Sequence, residues 1–252
     1  MKGVTSLVGC RAVLPHSVVE IATIVIEDGK IAAVLEGRHP RGEEVGVDGL
    51  TAVPGFIDIH VHGAAGYDFN CADPAGIAEI LRAHLRHGTT ALLATTYSDS
   101  VDRLAAALTV LARQPQVEDG AEMVGIHLEG PFLNKKHRGA QPEAAILEPD
   151  LALFERLERA ADGRLRLVTL APEMRGGLEL LRKIVGKGIR AGVGHSDATF
   201  EQMKEFSALG LAQTSHTFNG MRGLHHREPG VAGATLLLSS RTTVLVSCVP
   251  SY

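Results

Sequence analysis

Over the first fifty residues the apolar positions come in short alternating runs, and from Phe56 onward they fall into repeated strand-then-helix units. Val18 to Ile26 alternates apolar with small or polar residues, Asp28-Gly29 has the composition of a two-residue hairpin turn, and Lys30 to Leu35 reads as the returning strand. Such short antiparallel strands fit a small β-sandwich rather than a parallel core. Pro54-Gly55 breaks the pattern. Residues 1–53 are therefore expected to supply strands of a small sandwich, and residues 54–252 a second domain of parallel α/β type.

In that second region the pattern predicts strands at Phe56–His62, Thr89–Thr95, Met123–Glu129, Leu165–Ala171, Ile189–His195 and Ala212–Phe218. Helices are predicted between them at Pro74–His87, Asp102–Arg113, Asp150–Ala160, Leu178–Lys187 and Phe200–Leu209, and Gly88, Gly188 and Gly210 stand where a helix end tolerates positive φ. Six units of this kind are about six of the eight that close a (β/α)8 TIM-type barrel. Only 34 residues follow Phe218, and Asn219 to Gly233 reads as a loop. One more strand, near Thr242–Cys248, is all that remains, so the expectation is an incomplete barrel. An open parallel sheet leaves unpaired edges, and this polypeptide is expected to fold poorly or aggregate.

Composition narrows the function. The 252 residues are 45% hydrophobic and carry a net charge of −4, which gives no basic footprint for nucleic acid or for a membrane surface. No apolar run reaches the roughly 18 to 20 residues of a membrane helix. Leu7-Val8-Gly9-Cys10 has the form of a lipoprotein cleavage site, but the apolar stretch before it is too short for an export signal. Cys10, Cys71 and Cys248 are too few and scattered for a disulfide framework, which points to a reducing cytoplasm.

The 12 histidines change the picture more. Asp58-Ile59-His60-Val61-His62-Gly63 closes the first barrel strand, and strand alternation puts Asp58, His60 and His62 on one face. Two imidazoles so placed can hold one metal ion. Barrel enzymes carry their chemistry at the carboxyl ends of strands, and Glu129, His195 and His216 stand at three further strand ends. Asp58 and Glu173 read as supporting groups rather than ligands. His84 and His87 lie at helical spacing and read as solvent-facing, and Cys71 as packing.

Several segments carry a family resemblance. Pro54 to Gly63 resembles the opening strand of an amidohydrolase barrel. His127-Leu128-Glu129-Gly130-Pro131-Phe132, Leu170-Ala171-Pro172-Glu173, Gly194-His195-Ser196 and Ser215-His216-Thr217-Phe218-Asn219-Gly220-Met221 are similar to N-acetylglucosamine-6-phosphate deacetylases, and the likeness runs from about residue 20 to about residue 237. It implies Glu129, His195 and His216 as ligands of the main divalent ion, zinc first with iron, manganese or cobalt as alternatives, and His60 and His62 as ligands of a second. It implies phosphate recognition by Asn219, Gly220 and Arg227, and a sugar contact at Gln141, where the family commonly has histidine. The reaction implied is attack of metal-activated water on the acetyl amide of N-acetylglucosamine 6-phosphate, in a cytoplasmic homodimer.

The resemblance has gaps. An aspartate on the eighth strand, which in the family manages the proton, has no counterpart here, and the likeness fades after Ala234. The chain as written is therefore expected to be inactive, its divergent end reflecting a frame error or premature stop. A non-catalytic binder of metal and sugar phosphate, or a dihydroorotase-like cyclic amidase, are the alternative readings. Arg227 and a carboxylate at the bridging position argue against the cyclic amidase.

Overall fold

The computed structural model describes residues 3–71, 73–238 and 243–244, the last two for their backbone only. The chain divides into two compact units, Met1–Phe56 and Ile57–Tyr252.

The first unit is a five-stranded sheet of β1 (Val4–Val13), β2 (Val18–Glu27), β3 (Lys30–Glu36), β4 (Glu43–Gly46) and β5 (Thr51–Ala52). Its order is β3-β2-β1-β4, with β5 also pairing β1. The β2–β3 hairpin closes at Glu27↔Lys30, and Asp28 and Gly29 both have positive φ, as a two-residue turn of this twist requires. Cys10, Ala12, Ala22 and Ile24 form its buried centre. Among the described residues this unit is one sheet, not two packed layers.

The second unit is built on β6 (Phe56–Val61), which begins at the boundary. The small pair β7 (Gly63–Ala64) and β8 (Tyr67–Asp68) follows, and then the alternation begins. It runs α1 (Pro74–Arg86), β9 (Thr89–Thr96), α2 (Val101–Arg113), β10 (Glu122–Glu129), α3 (Leu151–Ala160), β11 (Leu165–Leu170), α4 (Gly177–Gly186), β12 (Arg190–Val193), α5 (Phe200–Ala208), β13 (Leu211–Thr214), α6 (Gly230–Leu237) and β14 (Thr243–Val244). The sheet order β14-β13-β12-β11-β10-β9-β6 is that of the chain read backwards, and the registered pairs from β9 to β14 are parallel. This is the partial TIM-type barrel that the strand–helix alternation predicts, with β14 lying within the expected seventh strand.

Local chemistry sets the helix starts. Asp73 caps α1 ahead of Pro74, Ser100 caps α2, Asp150 caps α3, and Thr199 forms a capping box with Gln202 on α5. Their apolar faces meet the sheet in one core that includes Ile80, Leu108, Ile126, Phe154, Leu180 and Phe206. Helix α6 lies where the sequence reads as loop. It is apolar on all sides, so no 3.6-residue contrast marks it, and Val231 to Thr235 are all buried. No helix among the described residues is long and apolar enough to cross a membrane.

Two strands stop earlier than the pattern suggests. β12 ends at Val193 and β13 at Thr214, because His195, His216 and Phe218 adopt left-handed φ of 51°, 32° and 81°. The histidines thus sit just past the strand ends, on backbone that has turned.

Candidate metal centre

Glu129 is the last residue of β10 and its side chain is 1% exposed. Four imidazoles converge on it. His60 Nε2 lies 3.1 Å from Oε1, His195 Nε2 3.3 Å and His216 Nε2 3.2 Å from the same oxygen, while His62 Nε2 lies 3.2 Å from Oε2. The five residues fall into two sets, His60–His62–Glu129 and Glu129–His195–His216, and all five expected metal ligands are brought together.

Hydrogen bonds fix how three of the rings present themselves. A carbonyl only accepts, so Nδ1 of His62 donates to Thr95 O at 3.1 Å, Nδ1 of His195 to His137 O at 2.9 Å, and Nδ1 of His216 to Asn219 O at 2.8 Å. In the neutral rings this leaves lone pairs on Nε2, all aimed at a carboxylate. His195 and His216 Nε2 also face each other at 3.2 Å. Lone pairs so arranged need a cation between them, a proton or a metal ion.

The spacing fits a metal. Two ligand atoms at about 2.0–2.1 Å from one tetrahedral ion stand about 3.3 Å apart. The triangle of His195 Nε2, His216 Nε2 and Glu129 Oε1 has edges of 3.2, 3.2 and 3.3 Å. Three protein ligands with a fourth corner open is the pattern of a catalytic rather than a structural ion. His60 Nδ1 is buried without a hydrogen-bond partner among the described residues.

The charge balance agrees. Burial works to raise the Glu129 carboxyl, but contacts from His195, His216, His60 and His62 hold it well below its ordinary range, so it is ionised. Burial likewise works to lower His62 and His216, yet hydrogen bonds and charge from Glu129 raise both. His127, on the Glu129 face of β10, is the opposite case. Burial and then His60 push it well down, so it stays neutral. Its Nδ1 donates to Ile59 O at 3.2 Å and its Nε2 accepts from Thr169 Oγ1 at 2.8 Å. It packs edge-on against His60 with ring centroids 4.7 Å apart. The one signal in the sequence that marks His127 is its two-residue spacing from Glu129.

Around the ligands lies a frame that the sequence reading saw only in part. Glu173 accepts from Asn134 Nδ2 at 3.0 Å, Asp197 N at 2.7 Å and Ser196 Oγ at 2.7 Å, tying the ends of β11 and β12 to the loop after β10. Asp197 receives His137 Nε2 at 2.7 Å, Lys136 Nζ at 2.8 Å and Arg222 at 3.0 Å. Those contacts hold the Lys135–His137 turn whose His137 carbonyl orients His195. Asp58 Oδ1 accepts His60 N at 3.0 Å, a local bond within its own strand.

The expected substrate-binding residues are distributed unequally. Gly220 packs directly against the His195 and His216 rings: with φ of 57°, an added Cβ would stand 3.1 Å from His195 Nδ1 and 3.2 Å from His216 Cε1. Asn219 orients His216 through its carbonyl. Arg227 is exposed in the segment between β13 and α6, its backbone N–H donating to His225 Nδ1 at 3.2 Å. Gln141 is buried, with its side-chain amide against Glu129.

With fold and site in view, the likenesses to known proteins can be set beside them. The Amidohydrolase family description matches residues 51–247. The chain is 37% identical over 223 residues to an N-acetylglucosamine-6-phosphate deacetylase of Lysinibacillus sphaericus, a match covering 88% of this chain and 58% of that protein. It is 35% identical over 212 residues to an N-acetylgalactosamine-6-phosphate deacetylase of Escherichia coli, covering 84% and 55%. A solved mutant N-acetyl-D-glucosamine-6-phosphate deacetylase of Mycobacterium smegmatis, in complex with N-acetyl-D-glucosamine-6-phosphate, matches with a TM-score of 0.88 at 32% identity over 97% of this chain and 63% of that one. The chain belongs to the amidohydrolase family. It spans less than two thirds of the length of these relatives. Within the family its likeness is to N-acetylglucosamine- and N-acetylgalactosamine-6-phosphate deacetylases.

Proposed function

We propose that the site serves metal-dependent hydrolysis of the N-acetyl amide of N-acetylglucosamine 6-phosphate, giving glucosamine 6-phosphate and acetate, with zinc as the ion. The observation that carries this reading is the triangle of His195, His216 and Glu129, whose edges of 3.2 to 3.3 Å suit one tetrahedral cation. A divalent ion held there supplies Lewis acidity toward an amide carbonyl and an attacking water. The chain's own groups do the rest. Glu129 neutralises part of the ion's charge, the three Nδ1–H bonds to backbone carbonyls fix the rings, and His127 fills the floor as a neutral group. Gly220 offers backbone, and Arg227 a guanidinium fork, to the phosphate, while Asn219, its backbone bonded to His216, shapes the turn between them.

A second reading, binding of metal and sugar phosphate without turnover, is favoured by one feature. Among the described residues Glu129 is the only carboxylate within ion-pair distance of the four converging imidazoles. Asp197 is committed to Lys136, His137 and Arg222. Among the described residues, the proton that must reach the departing amine thus meets no second carboxylate beside these rings.

Acetate release from N-acetylglucosamine 6-phosphate and from its galactosamine epimer, on zinc-loaded protein with zinc and sugar-phosphate binding measured alongside, separates the readings. Acetate above the metal-only background supports hydrolysis, and preference between epimers names the sugar. Binding of both partners with no acetate supports the second reading. Failure to bind zinc at all sinks both.

A further inference from the structure

The amide of Gln141 is occupied at both ends. Ser98 N donates to its Oε1 at 2.7 Å, and its Nε2 donates to Glu129 Oε2 at 2.7 Å. Because a backbone N–H can only donate, Ser98 fixes the amide's orientation and leaves the NH2 facing the carboxylate. The residue's own backbone is anchored as well, its N–H donating to Arg138 O at 2.9 Å. Ser98 follows β9 and Glu129 ends β10, so Gln141 bridges two neighbouring strand ends.

This contact differs in kind from the others on Glu129. The four imidazole contacts are those a cation would replace, since each Nε2 is a metal donor. The amide nitrogen offers no lone pair to a metal, so its bond to Oε2 persists once an ion is bound. It also makes the two carboxylate oxygens unequal. Oε1 faces the Nε2 atoms of His60, His195 and His216, while Oε2 is divided between His62 and the amide.

We infer that Gln141 is a positioning residue for Glu129: it holds the carboxylate so that Oε1 completes the His195–His216 site. The inference rests on the proposed metal-binding function and departs from a sugar-contact role for Gln141, because both polar ends of the side chain are held within the protein by Ser98 and Glu129.

The test is competition for zinc against a chromophoric chelator, on the full chain and on Gln141→Met, which keeps the volume and removes both bonds. Partners of metal ligands typically tune affinity about 10–100-fold, and the tighter zinc step is expected to weaken by that order. Gln141→His, which retains an N–H donor, is expected to bind zinc close to wild type. Sugar-phosphate affinity at saturating zinc is measured in the same proteins. A sugar contact would lower that affinity and leave zinc alone, and that outcome overturns the inference. Wild-type and Gln141→Met proteins with equal zinc affinity overturn it as well, with the metal function intact, whereas a wild type that takes up no zinc removes the function first. Should Gln141→Met not fold, Gln141→Asn, one methylene too short to span Ser98 and Glu129, carries the same comparison.

Discussion

Asp197 shows how much of this site depends on single residues outside the ligand cluster. Burial alone would raise its carboxyl, but hydrogen bonds from Lys136, His137 and Arg222 lower it from 3.8 to about 2. A depressed carboxylate stabilises the fold fully above its unfolded pKa and loses that contribution as pH falls through its folded one. Asp197→Asn is therefore expected to cost about 2 kcal/mol near neutral pH. The gap from wild type should be roughly halved at pH 3 and nearly closed at pH 2, where the wild-type group is itself becoming neutral. Urea unfolding of both proteins across that range checks it; a gap that stays constant down to pH 2 would remove the ionised carboxylate as its source. The residue scale is also where sequence reading is most uneven. His60 and Glu129 were legible because strand alternation fixes which way each points. Gln141 was not, since its place against Glu129 depends on Ser98, 43 positions away in the chain.

At the scale of elements, the turn after β13 carries the tightest constraint. It places Asn219 O on His216 Nδ1 and brings Gly220 over both rings. Gly220→Ala meets two obstacles at once, a left-handed φ of 57° and ring atoms 3.1–3.3 Å from the new Cβ. Left-handed backbone costs an L-residue about 1–2 kcal/mol. The rings must also yield, so zinc affinity is expected to drop by about tenfold or more. Gly186→Ala at the end of α4 is the contrast, since nothing lies within 4 Å of its Cβ. It is expected to stabilise by up to about 1 kcal/mol and leave zinc binding unchanged. Chelator competition and melting curves on the pair read both effects, and equal zinc affinity in the two variants would refute the role given to the turn. The helices α1 to α5 were legible from the strand-then-helix alternation, with Gly88, Gly188 and Gly210 marking three of their ends. The β12 and β13 ends were not, because alternation describes extended backbone and says nothing about where His195 and His216 leave it.

At the scale of the whole molecule the deciding feature is the open sheet. Parallel strands are stable when both faces are covered and the edges are paired, and a barrel removes edges by closing. Among the described residues the path runs from β6 to the two-residue β14 without closing, and α6 ends with Leu236 and Leu237 exposed at 53% and 70%. The count of strand–helix units foretold this, because a period of about thirty residues per unit is readable without knowing any contact. Exposed apolar side chains beside an unclosed sheet favour association over a free monomer. The 252-residue polypeptide is accordingly expected to sediment as oligomers or aggregates at micromolar concentration. Replacing Leu236 and Leu237 together by Glu should raise the monomer fraction without altering zinc uptake, since neither residue belongs to the ligand cluster. Sedimentation velocity on both proteins decides the matter. A wild-type chain that runs as a monomer and melts in one cooperative transition would mean that the edges are satisfied within the chain itself.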